Sequence, residues 1–192
     1  MGHDMQDARR IECGDHSGLG RDIEMIGLVS IIIFWAAIVP LITIIHNLGH
    51  AAAALALVPE HGVVVCLGSD PKISLVRRGR LEVLLQPWSG WVGRWGWTAG
   101  VVEARRAHFV WIMLAGPLAS ILAALLFGVV KSMFAAGPLF MRDLAQAGMV
   151  AAIIQFAASI LPVTYPSWLI GYSDMWSDGL RLWRCLAGKT TE

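Results

Sequence analysis

Apolar residues along this chain fall into three long runs that contain few charges. The first extends from Met25 to about Val58, interrupted by Pro40 and by a polar group at Thr43 and His46 to Gly49. As one helix it would reach about 50 Å, against roughly 30 Å of hydrocarbon in a bilayer. It is therefore expected to tilt, to kink at Pro40, or to project beyond the membrane. It exceeds the h-region of a signal peptide and is expected to be retained as a span. The second run covers about His108 to Val130. The third covers about Ala145 to Ile170, with Pro162 and Pro166 disturbing its end, and a short amphipathic helix is predicted over Asp178 to Leu186.

Between the first two runs the periodicity changes. Val63 to Leu67, Lys72 to Val76 and Leu81 to Leu85 are short β-type stretches separated by Gly68-Ser69-Asp70-Pro71 and Arg77-Arg78-Gly79-Arg80. They predict a small sheet over residues 62–86 at the membrane surface. Trp88, Trp91, Trp95 and Trp97 follow among glycines. Two readings stand side by side for them: chain skimming the headgroup layer, or a loop packing on the helices.

Composition supports a membrane protein. Of 192 residues 56% are hydrophobic and 15% charged, with a mean hydropathy of +0.62, an unusual balance for a soluble domain. A net charge of +1 without a basic stripe argues against a nucleic-acid partner. The lipid bilayer is the expected surrounding. The connection from Glu60 to Ala107 carries Lys72, Arg77, Arg78, Arg80, Arg94, Arg105 and Arg106, whereas that between the second and third runs carries Lys131 and Arg142. The positive-inside rule then puts the sheet and the C-terminus in the cytoplasm and the N-terminus outside. The expected organisation is a polar N-terminal segment 1–24, a membrane domain 25–187 and a tail 188–192. The expected location is a bacterial cytoplasmic membrane. Cys13, Cys66 and Cys185 have no paired spacing and predict neither disulfides nor a zinc knuckle. Cys13 with His16 is a weak metal pair, set against a solvated, disordered segment.

The chemistry sits in the first run. His46 and His50 are four apart, so on a helix both imidazoles point the same way and can reach one ion. Ionisable groups at membrane depth usually face a cavity or a partner. The pair is thus either a ligand pair or a hydrogen-bonded structural pair. A third, acidic ligand would decide between these, and Asp178 is the candidate; its other reading is the N-cap of the short helix. In the H-E-x-x-H zinc-protease pattern a glutamate follows the first histidine as general base. Here Asn47 holds that position.

Three blocks in order resemble the site-2 protease family of intramembrane zinc metalloproteases, over roughly Ile26 to Leu186. They are His46-Asn47-Leu48-Gly49-His50-Ala51, Leu114-Ala115-Gly116-Pro117-Leu118-Ala119, and Leu161-Pro162 followed by Ser177-Asp178-Gly179. The glycine-rich stretches Gly68 to Lys72 and Gly90 to Gly93 also fit. The resemblance implies a three-span α-helical core with a membrane-associated β-sheet insertion. It implies zinc held by His46, His50 and Asp178, and a transmembrane protein or peptide substrate cleaved in regulated intramembrane proteolysis after pairing with the sheet edge. The chain departs from the family pattern at Asn47, at Ser120 and Ser159 where asparagines are common, and in a long gap from Pro162 to Asp178. Two functions follow: a metalloprotease, or a pseudoprotease that binds zinc and membrane segments without cutting. An ion carrier using the histidines as a relay is disfavoured by the few spans and the lack of repeats.

Overall fold

The computed structural model describes residues 16–68, 70, 73–86, 92–99, 104–169 and 171–189. Cys13, Lys72, Trp88, Gly90, Trp91 and Ile170, which figure in the expectations above, lie outside them. Among the described residues, three helices are long and apolar enough to cross a membrane: Met25–Leu57, Arg106–Met133 and Leu139–Ile160.

The first is composite. Helix α1 (His16–Ile33) passes through one π-helical turn, Phe34–Ile38, into α2 (Val39–Leu57). The disturbance expected at Pro40 thus lies just before it. Proline offers no N–H and its ring crowds the carbonyl four residues back, and a wider turn relieves both. The helix also begins at His16, inside the segment expected to be disordered, because extending an established helix costs little. The second span, α3 (Arg106–Met133), is close to expectation. The third is shifted: α4 is Leu139–Ile160 and stops before Pro162 rather than running on toward residue 170. Leu161 is extended at ψ 134°, as the residue preceding a proline prefers to be. Helix α5 (Asp178–Leu186) has the predicted bounds.

The spanning helices carry their large apolar side chains outward. On α3, Trp111, Leu118, Leu122, Leu125, Leu126 and Val129 are exposed, while Ile112, Met113, Gly116, Pro117, Ser120, Ala123 and Ala124 are buried. A water-soluble bundle would show the reverse; here the small and polar residues form the contact between helices.

Four strands follow α2: β1 (Val63–Leu67), β2 (Ile73–Arg78), β3 (Leu81–Leu85) and β4 (Gly93–Trp97), in the order β2-β3-β1-β4. β1 pairs with β3 in parallel and with β4 antiparallel. The fourth strand corrects both expectations for the tryptophan-rich stretch, of which Trp95 and Trp97 fall in β4. β1 buries Val63, Val65 and Leu67 alternately. Its inner face packs with Ala51, Ala54, Val58, Val83, Ile112 and Met113. A second cluster, Ile42, Ala123, Ala124 and Ala152, joins the helices deeper in the bundle. His46 and His50 lie on α2 between these two cores.

Candidate metal centre

Helix periodicity places His46 and His50 on the α2 face turned to α3, and both are buried, at 7% and 1% exposure. Gly116 makes room for the second ring, since a Cβ there would overlap the His50 imidazole. Asp178 arrives from α5. Ser177, not Asp178, is the N-cap: its hydroxyl accepts from Leu180 N–H at 3.1 Å. That frees the Asp178 carboxylate, in the first helical turn, to face the histidines. Gly179 allows the approach, because a Cβ there would collide with the Ile160 carbonyl at the end of α4.

The rings are held from behind. His50 Nδ1 donates to the Ile112 carbonyl at 2.6 Å. A neutral ring with a proton on Nδ1 keeps a lone pair on Nε2. Ser120 directs its hydroxyl to the Gly116 carbonyl at 3.4 Å and accepts from His46 Nδ1 at 2.9 Å. This tautomer leaves His46 Nε2 with a lone pair as well. Trp95 stacks on His50 with ring centroids 5.4 Å apart and planes 20° from parallel.

His46 Nε2, His50 Nε2 and Asp178 Oδ2 then form a triangle whose three edges are each 3.2 Å. With these tautomers, lone pairs converge on one point. A metal ion satisfies all three; without one, Ser120 can donate to His46 Nδ1 and the proton on His46 Nε2 then bridges to Asp178. Four-coordinate ions bound at about 2.0–2.1 Å by nitrogen and oxygen set ligand edges of about 3.3–3.4 Å, so the observed triangle fits one. A hard ion that wants six to eight oxygens at longer range fits it poorly. Burial pushes the Asp178 carboxyl up, but with protonated imidazoles the bonds from His46 and His50 and their positive charge outweigh that and hold it below the usual carboxylate range. Asp178 is therefore in its ligand form. Among the described residues, His46, His50 and Asp178 are a group able to hold a metal ion, which brings together all three residues singled out from sequence.

Asn47 lines the cavity beside the triangle, with its side-chain amide tied back to its own helix. Its side-chain amide donates to the Thr43 carbonyl one turn back at 2.8 Å and lies beneath Gly93, where a Cβ would overlap it. The cavity beside the triangle holds about 300 Å³ and is lined by Asn47, Gly93, Gln155, Ser159, Tyr165 and Tyr172 among others. Asp178 is the single acidic residue in its described lining, so no second carboxylate stands in for the missing glutamate. Ser159 donates to the Phe156 carbonyl at 3.0 Å rather than to a ligand. The tyrosine hydroxyls stay protonated. Burial, the Asp178 charge and Tyr172 push Tyr165 up to about 12, and burial also raises Tyr172.

Sequence reasoning missed Trp95 and the Ile112 carbonyl as supports, and treated Ser120 only as a departure. No spacing rule links residues 74 positions apart, though Trp95 and Trp97 at period two hinted at a strand face. No family model, curated protein or solved structure matches this chain. The reading of the site rests on its own residues.

Proposed function

We propose that this chain is a site-2-protease-like membrane zinc protein, built to take transmembrane segments of other proteins beside His46, His50 and Asp178. The convergence of His46 Nε2, His50 Nε2 and Asp178 Oδ2 at 3.2 Å carries the reading. The three sequence blocks support it, since between them they hold the three ligands, Gly116, which makes room for the His50 ring, and Gly179, which admits α5. Two imidazoles and a carboxylate in a four-coordinate arrangement favour zinc. Zinc, when bound, supplies Lewis-acid polarisation of an oxygen at the reacting centre.

The chain's own groups do the rest. Ser120 and the Ile112 carbonyl fix the ring planes, and Trp95 shields His50 from water. The edge of β4 offers backbone groups to an extended segment. In the ladder with β1, Gly68 N–H reaches Val92 carbonyl at 2.7 Å and Thr98 N–H reaches Gly62 carbonyl at 3.0 Å. Alternation along an antiparallel pair then turns Gly93, Trp95 and Trp97 outward. An added strand would run past the triangle.

Asn47 has no basicity near neutral pH and accepts no proton. General-base catalysis is typically worth roughly 10²–10⁴-fold, so peptide cleavage by this sequence is severely impaired. The bond from Asn47 to Thr43 specifically favours a second reading, a pseudoprotease that binds zinc and membrane segments without cutting. The experiment is cleavage of a transmembrane peptide by zinc-loaded protein, comparing the sequence as given with Asn47→Glu. Faster cleavage by the glutamate form supports the protease reading. Equal, robust turnover by both overturns the role given to position 47. Zinc and peptide bound with no turnover by either establishes the pseudoprotease. Absence of zinc returns the histidines to a structural pair.

A further inference from the structure

The chain between α4 and α5 folds back on itself and reaches the open edge of β4. Its base is closed by Ser177, whose hydroxyl donates to the Leu161 carbonyl at 2.5 Å and accepts from Val163 N–H at 3.2 Å. Thr164 and Trp176 form an antiparallel bridge, and Tyr165 N–H donates to the Met175 carbonyl at 2.9 Å. At the far end, Gly171 sits at φ +88° against Val92, whose side chain fills the space a Cβ would need. Beside it, the Tyr172 hydroxyl accepts from Gly93 N–H at 2.7 Å.

Gly93 is one of the outward-facing positions of the edge strand, and it lies over Asn47 and Thr43 on α2. Its N–H is therefore a donor that a chain laid along β4 past the metal group would use. A phenolic oxygen already occupies it, at a distance and with a polarity close to those of a strand carbonyl. Both cannot hold the same hydrogen in good geometry.

We propose that Tyr172 is an internal competitor at this edge: its hydroxyl stands in for a substrate carbonyl at Gly93 N–H, so an extended chain pairs there only by displacing Gly171 and Tyr172. This rests on the reading of β4 as the place where a peptide segment adds. A segment that stays helical never competes for Gly93 and does not open the site. A segment able to unwind and offer a strand carbonyl exchanges one acceptor for another, so the opening costs little once pairing has begun. Tyr172 thereby competes with substrate backbone rather than with any one side chain.

The test uses the full chain in detergent, loaded with zinc and carrying Asn47, so that binding is measured without turnover. The probe is a fluorescent transmembrane peptide with a helix-breaking Gly-Pro pair at its centre, and its helical counterpart without that pair. Tyr172→Phe removes the acceptor and keeps the ring. The worth of one neutral hydrogen bond sets the expected tightening for the Gly-Pro peptide at about three- to tenfold, with no change for the helical peptide. The ratio between the two peptides is expected to widen by the same factor, and Gly93 amide exchange to quicken in the free variant and slow again on saturation. Gly171→Ala, which pushes the segment off Val92 and leaves the hydroxyl intact, is expected to tighten binding in the same sense. Equal or weaker binding of the Gly-Pro peptide by both variants, with the parent binding peptide normally, overturns the inference and leaves the site reading standing. Unchanged Gly93 exchange in Tyr172→Phe also overturns it. Peptide bound by neither parent nor variants overturns the site reading itself, and the inference with it.

Discussion

Ser120→Ala isolates the support behind His46 without touching any ligand atom. Ser120 is fully buried, and its oxygen accepts from His46 Nδ1 at 2.9 Å. Removing that oxygen leaves a buried imidazole N–H without its partner, a loss of about 1–3 kcal/mol. The ring can recover part of this by rotating, but rotation takes Nε2 out of the triangle that it makes with His50 and Asp178. Groups that orient metal-bound histidines typically contribute 10–100-fold in metal affinity, or about 1.4–2.7 kcal/mol. The two figures agree, so zinc affinity is expected to fall by that factor while helix content stays unchanged. The assay is competition against a chromophoric chelator in detergent, with Ser159→Ala as control. Ser159 lines the same cavity but donates to the Phe156 carbonyl and is expected to change affinity less than about twofold. A Ser120→Ala affinity within twofold of the parent would refute the argument. So would equal losses in both variants, which would make the effect one of general packing.

Further outcomes follow from the same geometry. Asp178→Ala should lose zinc as fully as His46→Ala or His50→Ala by metal analysis, and full retention of zinc in Asp178→Ala would remove it from the ligand set. Gly116→Ala drives a methyl group into the His50 ring, so zinc content and the thermal midpoint should both drop; a normal zinc content would show that the ring has room to move. Stripping zinc with a chelator should lower the thermal midpoint, because an ion held at 100 times its Kd stabilises by about 2.7 kcal/mol; an unchanged midpoint would contradict binding to the folded state. After replacement of the native cysteines, Arg78→Cys on the exposed strand β2 should label only from the cytoplasmic side, as the basic connection predicts. Labelling from outside would invert the topology.

Much of this protein was legible in one dimension. Long apolar runs can satisfy their backbone in lipid only by becoming helices or barrels, which made three helices readable from hydropathy alone. The i, i+4 spacing of His46 and His50 needs nothing but helical periodicity to bring two imidazoles together. Short β-type apolar runs between turn residues located β1 and β3, and the polar start of α5 marked its first turn. What failed was local competition. Pro162, rather than the apolar content of residues 161–170, ended α4, and glycines at positions 93 and 96 hid a strand whose tryptophans form one face.

The metal centre itself required the tertiary fold. Asp178 is 128 residues from His50, and no periodicity spans that distance. Its arrival depends on Ser177 taking the cap and on Gly179 admitting α5 against the end of α4. The His50 tautomer was likewise undecided until the Ile112 carbonyl came within bonding distance of its ring. A sequence specifies which atoms can donate a lone pair. Only packing aims three of them at one point, since that direction is set by neighbours on other helices.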